Sequence, residues 1–175
     1  DIEGALTQKV IRGTHFGHPA MDDEVTAAAI SVGMSVGKTL AGQGIEVIGL
    51  GNIGERSMLS ALAVTTAIMK EDLKKASEKT GFALNISDVG DFAKDSVGTL
   101  SIVGSAEIAA LFGLVVEAAR CNMMVVFDNA VTGAAVLGAV TAYPEIRNFV
   151  IPSVYYEEPV HQIQMQKLGM KSFLH

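Results

Sequence analysis

Apolar residues follow two alternating patterns along the chain: short continuous runs, and longer runs with helical spacing. The short runs are predicted to be strands, because strands of a parallel sheet covered by helices are apolar throughout. They lie at 45–50, 123–127 and 148–151. The longer runs place apolar residues three or four positions apart and predict helices at 20–41, 57–70, 106–120, 131–142 and 162–168. This alternation predicts an α/β fold, a three-layer, doubly wound, mostly parallel sheet with helices on both faces.

Other stretches are less regular, and we expect residues 1–175 as a whole to form a single α/β domain. A polar helix is predicted at 71–79, a short strand at 82–86 and a polar connection at 87–98. His15 and His18 are predicted to lie in a surface loop, because no cysteine or acidic residue follows them at metal-ligand spacing. The acidic residues of the polar connection do not have the glycine and glutamate of a calcium loop. We therefore expect no metal site.

A glycine-rich turn follows the first predicted strand, in the stretch 47–57 (VIGLGNIGERS). Glycines in such a turn, here Gly49, Gly51 and Gly54, allow a ligand to approach the backbone closely. The turn leads into a helix, whose first N–H groups and positive dipole end favour a phosphate or carboxylate. Glycine-rich turns also occur without any ligand, so the pattern alone leaves both interpretations open.

Two carboxylates follow later strands. Asp128 comes directly after the strand at 123–127, and Glu158 follows the strand at 148–151. Ligands of open α/β sheets bind at the carboxyl ends of the strands, so both side chains are candidate catalytic residues. Either could instead be structural and accept backbone N–H bonds. Gly104 and Ser105 lie before the helix at 106–120, with Ser105 as its predicted cap.

Composition narrows the class of protein. The net charge is −6 and only 18% of residues are charged, which argues against a nucleic-acid surface. No apolar run reaches the length of a membrane span, although 49% of residues are hydrophobic. A single cysteine, Cys121, fits a reducing compartment, and we expect a cytoplasmic protein. High apolarity with helices rich in small residues favours a homo-oligomer.

Several stretches together resemble one family, the nicotinate-nucleotide–dimethylbenzimidazole phosphoribosyltransferases of cobalamin lower-ligand synthesis. The similar stretches occur in the family's order over most of the chain. They are IRGTHFGHPAM at 11–21, GLGNIGERS at 49–57, VGSAEIAALFG at 103–113, VVFDN at 125–129 and SVYYEEPVH at 153–161.

This resemblance implies the transfer of phosphoribose from nicotinate mononucleotide to an aromatic base, with no separate cofactor. It implies that the phosphate is held by glycine loops and that a carboxylate deprotonates the base. The implied nucleotide contacts are Gly49, Gly51, Asn52, Gly54 and Ser57, with Gly104 and Ser105 opposite them.

The chain also departs from the family pattern. Leu50 stands where the family has a glutamate in the glycine loop, and Glu55 and Arg56 replace an asparagine and a threonine. Val154 and Tyr156 replace a histidine and a serine. The family's catalytic glutamate is expected beyond His175, and the family's chain is about twice as long. We therefore expect a divergent, truncated relative.

Three interpretations remain open. The chain is a divergent phosphoribosyltransferase or a piece of one, acting with a partner subunit if parts of the site are missing. Alternatively, it is a catalytically inactive relative that serves as a nucleotide-binding, regulatory or scaffold module. The third possibility is an unrelated α/β nucleotide-binding enzyme that shares only features of the sheet edge.

Overall fold

The computed structural model describes residues 20–53, 57–70, 89–154 and 156–171. Three parallel strands form its sheet in the order β1 (Val47–Gly49), β2 (Met124–Phe127) and β3 (Val150–Pro152). Ile48 of β1 lies beside Val125 of β2. Because the strands are parallel, their carboxyl ends meet at one edge of the sheet, which we call the carboxyl edge.

Six α-helices in the described ranges surround this sheet. They are α1 (Asp23–Gly42), α2 (Ser57–Met69), α3 (Ser96–Val103), α4 (Ala106–Arg120), α5 (Ala130–Ala142) and α6 (Pro159–Leu168), and a 3-10 helix spans Pro144–Phe149. The predicted α/β class with a parallel sheet is confirmed.

Local sequence explains most helix ends. Asp22 caps α1 by accepting the Val25 N–H at 2.7 Å, and Ser105 caps α4 by accepting the Ile108 N–H at 3.2 Å. Gly169 ends α6 in the left-handed conformation, with φ of 62°, where glycine carries no steric penalty. The predicted bounds of α4 agree with the structure, and those of α1, α2 and α5 agree to within a few residues.

Two predictions of secondary structure were wrong. The segment 87–98 is not a connection throughout, because α3 begins at Ser96 behind the cap Asp95, which accepts the Gly98 N–H at 2.8 Å. The strand predicted at 148–151 begins only at Val150. The residues before it belong to the 3-10 helix, whose first position is Pro144, a residue suited to a helix start.

The core is built around α5, in which every residue from Ala130 to Ala139 is buried. Helices α2, α4 and α6 pack against it. The β1 strand is less completely covered than the sequence predicts, because Ile48 is buried whereas Val47 is 57% exposed.

Among the helices of the described ranges, α1 alone is long and apolar enough to cross a membrane, by length and composition. Core helices of soluble proteins pass the same test. Gly33 of α1 lies directly against the backbone of α4, so α1 packs on another helix of this chain.

Several predictions fall outside the described residues and remain predictions. They are the loop with His15 and His18, the helix at 71–79, the strand at 82–86, and the contact assigned to Gly54.

Candidate functional site

The carboxyl edge gathers the segments that follow the three strands. The Leu50 N–H donates to the Val126 carbonyl at 2.8 Å, and the Ser153 N–H donates to the Phe127 carbonyl at 2.9 Å. These bonds extend the strand pairing to the point where each chain leaves the sheet. The glycine turn, Asp128 and the segment leading to Glu158 therefore emerge on the same side of the molecule.

Two predicted glycine contacts lie beside open space. No described atom lies within 4 Å of where a Cβ would stand on Gly49 or on Gly51, and neither residue has a positive φ. Neither packing nor backbone conformation among the described residues thus demands a glycine there. Asn52, the next predicted contact, is half-buried beside them.

Gly104, a third predicted contact, has a different environment. A Cβ on Gly104 would stand 2.6 Å from the Leu100 carbonyl oxygen, which is shorter than any real contact of this kind. Its N–H also donates to that carbonyl, at 2.9 Å. The junction between α3 and α4 therefore requires glycine for packing alone.

The leucine that replaces the family's glutamate belongs to the core. Leu50 is only 8% exposed, so its side chain packs in the hydrophobic core. The substitution is consistent with the local environment, since a buried carboxylate without a partner would be costly.

The N-terminal ends of α2 and α4 meet through a pair that sequence reasoning missed. Ser57 Oγ donates to Glu107 Oε2 at 2.6 Å, a length typical of a hydroxyl bonded to a carboxylate. The two residues are 50 positions apart, so no local pattern indicates their contact. The structure thereby brings Ser57 to the first turn of the helix that Ser105 caps.

Asp128 has one oxygen held and the other available. Its Oδ1 accepts from Asn129 Nδ2 at 2.9 Å and lies 3.5 Å from Thr132 Oγ1. Asn129 in turn caps α5 by accepting the N–H groups of Val131 and Thr132. Asp128 Oδ2 makes no hydrogen bond to any described residue, and the side chain is half-buried. The carboxylate is therefore held through Oδ1, while Oδ2 has no partner among the described residues.

Glu158, the second candidate carboxylate, is the cap of α6. Its Oε1 accepts the Val160 N–H at 3.0 Å and its Oε2 accepts the His161 N–H at 2.8 Å. Both oxygens satisfy backbone donors that would otherwise lack partners at a helix start. This arrangement is the structural alternative that the sequence left open.

His161 is buried, and the charges of Glu158 and Asp128 act on its imidazole. Burial lowers the pKa of its imidazole below the usual 6.5, because the charged form would lose its hydration. The Asn129 backbone and the Gln164 side chain lie near the ring and oppose that shift, as do the charges of Glu158 and Asp128. Neither ring nitrogen reaches hydrogen-bond geometry with a described residue. Burial therefore favours the neutral form of the imidazole.

The buried side chain of Gln164 links its own helix, α6, to two others. Its Nε2 donates to Thr65 Oγ1 of α2 and to the Ala130 carbonyl of α5, both at 2.8 Å. Gly133 of α5 leaves room for the amide, because a Cβ there would stand 2.1 Å from Gln164 Oε1. Sequence reasoning missed this residue, since a glutamine on a helix gives no indication of a buried partner.

Comparisons with known proteins identify the family. A family model described as phosphoribosyltransferase matches residues 1–175. The chain belongs to the nicotinate-nucleotide–dimethylbenzimidazole phosphoribosyltransferase family. The interpretation as an unrelated α/β enzyme is therefore wrong, and the suspected resemblance is confirmed.

Two relatives with that name illustrate the match. The protein of Acetivibrio thermocellus is 29% identical over 99% of this chain and 54% of its own length. The protein of Dehalococcoides mccartyi strain BAV1 is 28% identical over 89% of this chain and 48% of its own length. The chain thus spans about half the length of the relatives it matches. The family's members are phosphoribosyltransferases, and the relatives' names specify a nicotinate nucleotide and dimethylbenzimidazole.

Solved structures agree on the fold. The crystal structure of CobT from Thermus thermophilus superposes with a TM-score of 0.86, covering 99% of this chain and 56% of that one at 22% identity. A second structure titled as the phosphoribosyltransferase from the same organism superposes with a TM-score of 0.77 over 90% of this chain. At these identities the likeness establishes the fold alone.

Proposed function

We propose that this chain is part of a phosphoribosyltransferase of cobalamin lower-ligand synthesis that uses nicotinate mononucleotide and an aromatic base. The observation that carries the proposal is the family match over all of residues 1–175. The carboxyl edge supports it, because no described atom occupies the Cβ positions of Gly49 and Gly51, at the place where ligands of α/β sheets bind.

The proposed reaction exchanges one bond at the sugar for another. The bond between sugar C1′ and the nicotinate ring nitrogen breaks, and a bond between C1′ and a nitrogen of the aromatic base forms. The attacking nitrogen uses its lone pair, and the N–H proton of the base's ring passes to a carboxylate acting as general base. Within this chain we assign ligand contact to Asp128, whose Oδ2 is available, and the structural cap to Glu158.

The remaining nucleotide contacts follow the family resemblance. We propose that Gly49, Gly51, Asn52, Gly54 and Ser57 approach the nucleotide from one side, and Gly104 and Ser105 from the other. We further propose a cytoplasmic homo-oligomer, with residues 1–175 as one α/β domain. A partner subunit would complete the site if part of it lies outside this chain.

A second candidate function is nucleotide binding without catalysis. Two observations favour it: Leu50 is buried where the family has a glutamate, and both oxygens of Glu158 are occupied by the cap of α6. Such a protein would retain the nucleotide site and lack a base for the proton.

The test is an incubation of the protein with nicotinate mononucleotide and dimethylbenzimidazole, followed by mass spectrometry. The proposal predicts free nicotinate and phosphoribosylated benzimidazole in equal amounts. Asp128→Asn should remove the product, whereas Asp23→Asn, at the exposed start of α1, should not. Binding of the nucleotide without any product would support the second candidate function, and absence of both would contradict the two candidates.

A further inference from the structure

Tyr156 is an exposed aromatic residue at the carboxyl edge. It follows shortly after Pro152, the last residue of β3, and it is 47% exposed. Tyr143, the other exposed tyrosine of the described residues, lies at the end of α5, where the chain returns towards the start of β3. The two residues therefore lie at opposite edges of the sheet, and only Tyr156 is placed where ligands of α/β sheets bind.

Two buried rings support the ring of Tyr156. It packs against His161, with ring centroids 6.3 Å apart and an angle of 77° between the ring planes. His161 packs in turn against Phe127, at 6.1 Å and 67°. Both contacts have the edge-to-face geometry that aromatic pairs prefer. Since Phe127 ends β2 directly before Asp128, this row of three rings leads from the candidate carboxylate's strand to the surface.

The backbone of Tyr156 is held as well. Its carbonyl accepts a hydrogen bond from Gln162 Nε2 of α6. The residue is thus anchored through its main chain and through one part of its ring, while nearly half of it stays exposed. An aromatic surface that is fixed in advance binds a planar ligand without the cost of ordering a mobile side chain.

The neighbouring segments suit a particular class of ligand. Asp128 and Glu157 bring negative charge to the carboxyl edge, and Ile53 and Met58 expose apolar side chains where the glycine turn leads into α2. A planar ring with apolar faces and a positive charge or an N–H group matches this combination. Both rings of the proposed reaction qualify, because the nicotinate nitrogen is positively charged while bonded to the sugar and benzimidazole carries a ring N–H.

We propose that Tyr156 is a specificity residue that stacks on the planar heteroaromatic ring of a substrate at the carboxyl edge. The inference rests on the proposed function, because it assumes that the substrates of phosphoribosyl transfer bind at this edge. The family pattern has a serine at this position, and a serine offers no ring for stacking. Recognition by stacking would therefore be a property of this chain that the family pattern does not include.

The experiment compares three ligands by calorimetric titration. They are nicotinate mononucleotide, ribose 5-phosphate, which has the sugar and phosphate without a ring, and dimethylbenzimidazole with saturating ribose 5-phosphate present. Tyr156→Ser should weaken the binding of at least one ring-bearing ligand by about five- to tenfold, the effect of losing one aromatic contact. The affinity for ribose 5-phosphate should stay unchanged.

Two further variants are matched controls. Tyr156→Phe keeps the ring and should bind every ligand within about twofold of the wild type. Tyr143→Ser removes a tyrosine of similar exposure, 45%, from the opposite edge of the sheet, and should change none of the affinities. Thermal melting shows whether each variant is folded.

The possible outcomes are distinct. Weaker binding of the mononucleotide assigns Tyr156 to the nicotinate ring, weaker binding of benzimidazole assigns it to the incoming base, and either result supports the inference. If Tyr156→Ser weakens ribose 5-phosphate equally, the role of Tyr156 is structural and the inference is wrong. If it binds both ring-bearing ligands like the wild type, the inference is also wrong, while the proposed function stands. If the wild type binds none of the three ligands, the proposed function fails and the inference fails with it.

Discussion

Gly33 of α1 lies so close to Ala110 of α4 that a Cβ on Gly33 would stand 1.8 Å from the Ala110 carbonyl oxygen. The approach is mutual, since a Cβ on Gly113 of α4 would stand 2.1 Å from the Ile30 carbonyl oxygen of α1. Backbone meets backbone at both points, so neither neighbour can move aside as a flexible side chain could. The two glycines therefore set the distance between the helices.

The first prediction concerns this contact. Gly33→Ala should lower the free energy of unfolding by about 3 kcal/mol, the upper range for overpacking, because α1 must shift away from α4. Gly42→Ala, at the end of the same helix, is the control, since no described atom outside the local helix backbone lies within 4 Å of its Cβ position. Urea unfolding measures both. Equal stability of the two variants would contradict this close packing of α1 on α4.

The second prediction contrasts Gly51 with Gly104. Gly51→Ala should leave the melting temperature within about 2 °C of the wild type, because no described atom lies within 4 Å of its Cβ position and its φ is not positive. It should nevertheless weaken nicotinate mononucleotide binding at least about tenfold if the ligand approaches that backbone, by analogy with the close approach that glycines permit. Gly104→Ala should lower the melting temperature, since its Cβ would meet the Leu100 carbonyl.

Thermal melting and titration calorimetry distinguish these effects. A Gly51→Ala protein that is stable and binds the nucleotide with unchanged affinity would remove Gly51 from the proposed site. A Gly104→Ala protein as stable as the wild type would show that the α3–α4 junction relaxes easily.

The third prediction separates the two strand-edge carboxylates. Glu158→Gln should lower the free energy of unfolding by about 1 kcal/mol, the usual effect of losing a helix cap, and should leave nucleotide affinity unchanged. Asp128→Asn should leave the free energy of unfolding unchanged and weaken nucleotide binding. The variant keeps an oxygen that can accept from Asn129 Nδ2 but loses the negative charge. Glu157→Gln, at an exposed neighbouring position, is the control for both.

Paired unfolding and binding measurements check this assignment. Loss of affinity in Glu158→Gln without loss of stability would reverse the roles that we propose for the two residues.

The fourth prediction follows from the lowered pKa of His161. Well above pH 6.5 the imidazole is neutral in both the folded and unfolded states, so it adds no pH dependence there. As the pH falls below 6.5, the unfolded chain takes up a proton that the folded protein still refuses. Stability should therefore fall with pH, by at most about 1.4 kcal/mol per pH unit, until the folded-state pKa is reached.

Urea unfolding of the wild type and of His161→Gln at about pH 7.5 and 5.5, on either side of the ordinary histidine pKa, measures this effect. The wild type should lose more stability than the variant over that interval, since the other histidines are present in both. Nuclear magnetic resonance titration of the His161 ring gives the folded-state pKa directly. A value at or above 6.5 would contradict the burial argument.

The sequence predicted the elements whose determinants are local. Helix α4 begins behind Ser105 and ends at Arg120 as predicted, because its cap and its apolar spacing are readable along the chain. Helix α3 was missed, since its eight residues are too few to show a clear period and its cap, Asp95, lies in a polar stretch.

The candidate site was less predictable, because its contacts join distant residues. Ser57 bonds to Glu107, and Gln164 bonds to both α2 and α5. These contacts depend on how the helices pack, which no short sequence pattern predicts. Gly51 and Gly104 also show that sequence alone does not reveal why a glycine occupies a given position. Both glycines lie in stretches that resemble the family, yet no described atom meets a Cβ on Gly51, whereas a Cβ on Gly104 would clash with a carbonyl of its own chain.

Titration of the purified protein with nicotinate mononucleotide tests the central claim most directly. The protein concentration should be high enough to detect weak binding. We expect saturable binding of one nucleotide per chain, reduced in Gly51→Ala and unchanged in Gly42→Ala. Absence of binding at millimolar nucleotide would contradict the assignment of the carboxyl edge as a nucleotide site.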